Sequence, residues 1–422
     1  MNSIRKHWLT ATAGAVAVWS SPALAQDTSA TSPVDPLNAA TMPDRNSDYL
    51  DLTAHLGYSS NPFLEAGNSR SSSFGRVSAR GVHAWGGERS QSSISAFVEA
   101  STYLNDYGLK SIFSVTGDTQ FQASERVSVF GTAGVSGDLG GQLSNRFLYV
   151  PPAPVVPDVN VPPPPATVQD PDLFSFAGRQ YRAFAQGGAS FGLDERSSVT
   201  VSGGGSRVWF TADLLNDYTT LFANGAYNRQ LSERTTVGFN VAVNRTQYDD
   251  SSDNSTIITP TVNIRTQISE VWDIRASVGA SFSSSERAGQ NDHSTGLSVD
   301  SSICHNTETE RLCGRATRNS TSLSRGTLVT TTTVGVDWFK ELDDKQTVQL
   351  SASASRYSSD DQLVSNFKST HWRAAANYSR VISTRLSGGA DLGIRRLSTE
   401  GPDPDTDVSG SVFLRYRLGD LQ

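Results

Sequence analysis

Three things are scarce in this sequence, and each scarcity removes a class of protein. Beyond residue 25 no apolar run is long enough for a membrane-crossing helix, so a helical membrane protein is excluded. Positive charge is in deficit: 35 Lys and Arg face 42 Asp and Glu, a formal net charge of −7, which disfavours a nucleic-acid partner. Cysteine is nearly absent. Cys304 and Cys313 are the only two, so there is no disulfide-rich framework and no second Cys or His pair at zinc-finger spacing. Hydrophobic residues make up only 36% and mean hydropathy is −0.35, yet Gly, Ser, Thr and aromatics abound rather than Lys and Glu. That composition is neither disordered nor helical.

Arg5 and Lys6 precede an apolar stretch from Trp8 to Trp19, and Ala23-Leu24-Ala25 stands before Gln26. Residues 1–25 therefore read as an export signal cleaved after Ala25. A short membrane anchor is the alternative, disfavoured by the length of the stretch and by Asp27, Thr28 and Ser29 after it. Residues 26–48, without period, read as a flexible periplasmic lead-in. Export passes through an oxidising compartment, so a disulfide between Cys304 and Cys313 is expected; a metal pair involving His305 is the alternative.

From Tyr49 onward apolar residues alternate with polar ones, as in Leu50, Leu52, Ala54, Leu56 and Tyr58, or Ile274, Ala276, Val278, Ala280 and Phe282. Alternation alone also suits a soluble β-sandwich. A repeated corner decides between them. It recurs as Gly87-Glu88-Arg89, Ser124-Glu125-Arg126, Asp194-Glu195-Arg196, Ser232-Glu233-Arg234, Ser269-Glu270-Val271, Asp343-Asp344-Lys345 and Ser383-Thr384-Arg385. Its third residues are spaced 37, 70, 38, 37, 74 and 40 apart. Each doubled step holds a long irregular stretch, 139–172 rich in Pro, or 286–325 with both cysteines.

A unit of about 37 residues with one tight turn and one variable loop is a hairpin of the length a tilted membrane strand needs. The sequence thus predicts an all-β fold: a transmembrane antiparallel up-and-down barrel over residues 49–422, of about 16 strands (range 14–18), with long extracellular loops 139–172 and 286–325. Trp85, Trp272 and Trp338 fit a lower aromatic girdle, and Tyr58, Phe63, Tyr103, Tyr107, Tyr248 and Tyr357 an upper one. Such a ring is too wide for side chains to fill. The Pro-rich 139–172 loop is then either a constriction or an exposed surface loop.

The barrel repeat and the first-strand segment Gly57-Tyr58-Ser59-Ser60-Asn61-Pro62-Phe63 resemble a family of bacterial outer-membrane β-barrel porins, some linked to export of surface polysaccharides. The resemblance implies outer-membrane lipid as surroundings and polysaccharide-export components as partners. Ser409 to Leu418 looks like the last-strand signal read by barrel-assembly machinery, although Gly419-Asp420-Leu421-Gln422 replaces the usual terminal aromatic.

No catalytic, cofactor or metal constellation is legible. Of His55, His83, His293, His305 and His371, the pair His293 and His305 lies in a stretch full of Ser and Asp, and chance explains that better than catalysis. Strand parity places Arg76, Arg80, Arg182, Arg265, Arg275, Arg373, Arg395, Arg415 and Arg417 toward the lumen against Glu99, Asp118, Asp337 and Asp391, which points to an anion-preferring pore. Structural ladders between these arginines and the acids are the plainer alternative. The expected function is a conduit for hydrophilic solutes, in its sharper form an anionic saccharide or exported polysaccharide. A structural or adhesive barrel with a plugged lumen is the second reading, and an outer-membrane enzyme a distant third.

Overall fold

The structure is a computed structural model that describes residues 47–64, 70–104, 108–138, 179–212, 215–249, 254–287, 290–322, 328–359, 368–399 and 405–420. The expected export signal, nearly all of the lead-in, the Pro-rich 139–172 stretch and Tyr107 lie outside the described residues. The strands are β1 (Ser47–Ser59), β2 (Ser72–Gly87), β3 (Ser90–Tyr103), β4 (Gly108–Ser124), β5 (Val127–Asp138) and β6 (Gln180–Gly192). Next come β7 (Ser197–Phe210), β8 (Tyr218–Ser232), β9 (Thr235–Tyr248), β10 (Asn254–Gln267), β11 (Trp272–Arg287) and β12 (Gln290–Asn306). The last six are β13 (Glu310–Ser322), β14 (Leu328–Asp343), β15 (Gln346–Ser358), β16 (Lys368–Ser383), β17 (Leu386–Thr399) and β18 (Asp405–Gly419).

Each strand pairs antiparallel with the next, and β18 returns to β1 with Tyr49 opposite Gly419 and Ser59 opposite Ser409. The result is one closed sheet of 18 strands rather than about 16. The extra pair is β12 and β13, which occupy the 286–325 stretch expected to be a loop. The 74-residue step between corners therefore contains a further hairpin.

The reason it is hard to see is local. In five corners a Ser or Asp oxygen accepts the backbone N–H two residues on, as Asp194 Oδ1 does from Arg196 (2.7 Å) and Asp343 Oδ1 from Lys345 (2.8 Å). The β12–β13 turn closes differently: Thr307 Oγ1 accepts the N–H of Glu310, three residues on, at 3.0 Å, and no acid-base triplet marks it. The N–H of Arg196 also holds the Asp194 carboxyl below the ordinary aspartate range.

The distribution of polarity is inside out relative to a soluble protein. On β1, Leu56 is 69% exposed and Leu50, Leu52 and Tyr58 are exposed beside it, while Asp51, Thr53, His55 and Ser59 on the other face are buried. The same holds around the ring, with Val77, Val98, Val262, Val278, Leu297, Leu392 and Val412 outermost. In water this belt would far exceed the few hundred Å² of apolar patch a monomer tolerates. In hydrocarbon it is the required surface, and closure leaves no unpaired edge. Strands of 12 to 17 residues cross the apolar thickness with the usual tilt. The chain is thus a bacterial outer-membrane type of β-barrel, with both described ends on the tight-turn side.

Trp85, Trp272 and Trp338 lie on the outer face near the turns, and Tyr58 lies outside near the loops. Phe63, Tyr103, Tyr248 and Tyr357 do not join it. They are buried at 4%, 5%, 5% and 1% exposure, because the register puts the three strand tyrosines on the lumen parity and the turn after β1 folds Phe63 inward. Trp209 and Trp372 take the outer positions near the loops instead.

Between β12 and β13 the wall departs from a simple cylinder. β12 pairs with β11 along its full length but with β13 only from Val299 to Asn306. Beyond that, the end of β13 crosses the inner face of the β11–β12 hairpin. Ser298 Oγ donates to Asn319 at 3.3 Å, and the hydroxyls of Ser255, on β10, and Ser322 meet at 2.6 Å. Gly296 lies beneath the crossing strand, where a Cβ would make an ordinary contact of 3.7 Å with Ser320 Oγ.

Candidate functional site: the lumen wall

Cross-strand register, which fixes side-chain direction at every second residue, places all nine expected arginines on the lumen parity. It also adds residues the sequence reading missed: Lys110, Arg311 and Arg315 among the bases, and Asp51, Asp138, Asp273, Asp300 and Asp407 among the acids. With these, nine plus three bases face four plus five acids, so the expected excess of nine over four narrows to twelve over nine. Arg311, Arg315 and Asp300 sit on the two unrecognised strands, and Lys110, Asp51, Asp138, Asp273 and Asp407 lie within a few residues of strand ends.

Part of the charge is locked in the wall. Arg76 Nε lies 3.3 Å from Glu99, Arg417 grips Asp51 through two bonds of 2.7 Å, and Arg395 Nε lies 3.0 Å from Asp407. Arg275 is 3.7 Å from Asp273. Arg182 and Arg415 lie over Phe184 and Phe413. Among the described residues no carboxylate comes within ion-pair distance of Arg80, Arg265, Arg373 or Arg415, and Arg373 donates only to Ser353 Oγ at 3.3 Å.

The remaining order is in the register. Arg265 is opposite Arg275, Arg275 opposite Ser302, Ser302 opposite Arg315 and Arg315 opposite Gly335. Gly335 is opposite Ser353, Ser353 opposite Arg373, Arg373 opposite Arg395 and Arg395 opposite Asp407. This is one continuous row across the lumen face, advancing about 4.8 Å per strand. Because barrel strands tilt, the row climbs from the turn end of β10 to the loop end of β17. It carries five arginines, small residues between them, and no acid before Asp407.

At the loop end the Gly57–Phe63 segment forms a latch inside the barrel. Asp407, fully buried, accepts from Ser59 Oγ (2.7 Å) and Asn61 N (2.9 Å), and Arg395 Nη2 donates to the Pro62 carbonyl at 2.6 Å. Phe63 packs on Tyr103, which packs on Phe74, and Leu64 closes the turn at φ 52°. Gly57 is required where it stands, since a Cβ would come to 2.5 Å from the Phe74 ring.

Cys304 and Cys313 are directly opposite on β12 and β13 and joined by a disulfide on the lumen parity, beside the tight turn rather than in an outer loop. His305 is no partner to them: it faces outward against Trp272, with ring centroids 4.9 Å apart. His293 shares that outward parity. His55 and His371 are buried in the lumen wall, the former 3.6 Å from Asp391, and His83 pairs with Asp48 on the outer face.

No family model and no curated protein matches the chain. Solved structures similar to it include the FrpB iron transporter from Neisseria meningitidis (TM-score 0.46, 8% identity, 87% of this chain and 64% of that one). Others are Acinetobacter baumannii OccAB3 (0.44, 8%, 89% and 99%) and the Pseudomonas aeruginosa outer membrane protein opdK (0.45, 10%, 88% and 99%). The chain spans less than two thirds of the length of FrpB. These likenesses concern the fold, and the narrower resemblance to a polysaccharide-export porin family finds no support in them.

Proposed function

We propose that the barrel is an outer-membrane conduit for hydrophilic solutes that favours anions, with an acidic saccharide as the solute class. The observation that carries this reading is the arginine row. It sets cationic groups one after another along the lumen from the turn end to the loop end, in a setting where fixed charge governs which ions pass. The pairs Arg76–Glu99, Arg417–Asp51 and Arg395–Asp407 remove three charges of each sign, and Arg265 and Arg373 of the row have no carboxylate in ion-pair distance among the described residues. Reconstitution in planar bilayers under a salt gradient tests the idea. The reversal potential should report anion preference, and Arg265→Gln with Arg373→Gln should abolish most of it. Cation preference in the parent protein refutes the reading.

A second reading, a plugged structural or adhesive barrel, is favoured by the buried latch at the loop end. It requires no conductance in the same bilayers.

A further inference from the structure

We infer that Arg265, Arg275, Arg311 and Arg315 form a carboxylate-binding subsite at the turn end of the lumen, where an acidic saccharide is first seated on its way outward. This deepens the conduit reading and rests on it.

Arg265 and Arg275 are directly opposed on β10 and β11, an arrangement in which like charges repel at short range unless an anion lies between them. Arg275 reaches Arg315 across Ser302 alone, and Arg311 shares the Arg315 face of β13 two positions beyond Cys313. Asp273 and Asp337 lie in the Cys304–Cys313 row, one below Arg275 and Arg315, and Asp300 lies one row above, so four guanidiniums gather around three acids. The guanidinium of Arg275 is incompletely used: its Nε is buried without a hydrogen-bond partner, and Asp273 is 3.7 Å away. Leaving a charged donor in that state is costly, and a ligand oxygen would satisfy it.

The subsite also has a rigid back. The Cys304–Cys313 disulfide ties β12 to β13 where their shared ladder is short, and Arg311 Nε donates to Cys313 Sγ at 3.4 Å. Guanidinium forks held on a stiff sheet suit planar, bidentate carboxylates. Successive arginines are spaced by strands, about 4.8 Å each, which suits a polymer with one carboxylate per sugar better than a compact ion. Tight turns face the periplasm in barrels of this kind, so the subsite faces the supply side.

The test uses the full chain in planar bilayers, with trigalacturonate, maltotriose and inorganic phosphate added to either side at matched ionic strength. Trigalacturonate is expected to block current from the turn side at a concentration about tenfold lower than from the loop side, maltotriose not at all, and phosphate only weakly. Arg275→Gln with Arg315→Gln should raise the blocking concentration about tenfold, the effect of losing charge-assisted hydrogen bonds in a half-exposed site. Unchanged block in that variant, while the parent barrel conducts and prefers anions, overturns the subsite and leaves the conduit standing. Phosphate as effective as trigalacturonate overturns the saccharide assignment. If the parent barrel does not conduct, the conduit falls; calorimetric titration of trigalacturonate into detergent-solubilised parent and variant then decides the subsite alone, equal binding or none refuting it. Heat-modified gel mobility verifies that each variant is folded.

Discussion

Replacing Asp407 by Asn removes one charge from a site that solvent does not reach. The native carboxylate is fully buried and accepts from Ser59 Oγ, Asn61 N and Arg395 Nε at 2.7, 2.9 and 3.0 Å. Asparagine fills the same volume, but one oxygen becomes an NH₂ group, which either faces the Arg395 guanidinium donor to donor or deserts the Ser59 and Asn61 donors. The Arg395 cation, 7% exposed at its side chain, then has no counter-charge. Breaking a buried pair from one side costs about 3–5 kcal/mol, against about 0–1 kcal/mol for an exposed one. Urea unfolding in detergent micelles, followed by tryptophan fluorescence and by heat-modified gel mobility, should show that loss. Arg395→Gln on the same background should recover part of it, because the stranded charge is gone. A loss below about 1 kcal/mol, or a double variant less stable than the single one, would show that the latch is not held by this pair.

Val278, exposed on the outer face, and Ser277, on the lumen face beside it, give a test of orientation. Val278→Arg should cost about 2–4 kcal/mol in lipid and Ser277→Arg much less, measured by the same unfolding assay in vesicles. Cys304→Ser with Cys313→Ser should lose about 2–3 kcal/mol, the chain-entropy value for so short a loop, and reductant should lower the parent's urea midpoint to the variant's. The Asp194 carboxyl lies below its ordinary value because it accepts the Arg196 N–H. Its stabilisation is therefore present above the unfolded-state value and lost as pH falls through the lower native one. Asp194→Ala should lower the urea midpoint at neutral pH, with the gap closing in acid.

Much of the barrel was legible because lipid imposes a simple rule on each strand. Runs such as Val237, Phe239, Val241 and Val243 follow it without exception. β12 and β13 escaped because Ser301, Gly314 and Ala316 dilute their outer faces and their turn relies on Thr307. Parity sufficed to place the arginines on the lumen face. It could not show which of them are spent on Asp51, Glu99 and Asp407, since parity gives the face but not the height at which two strands align, and Arg417 meets Asp51 only across the closure of β18 on β1. The upper aromatics misled for a related reason: nearness to a loop gives height in the membrane but not the side of the wall.

The meeting of Ser255 and Ser322 bears on how the ring acquired its circumference. β10 and β13 already touch at their loop ends, so the loop end of the intervening β11–β12 hairpin stands outside that contact. A cylinder built from units of about 37 residues can gain or shed one such stave at this point with the least rearrangement of its neighbours. Its bore is therefore easier to change here than anywhere the strands run fully paired.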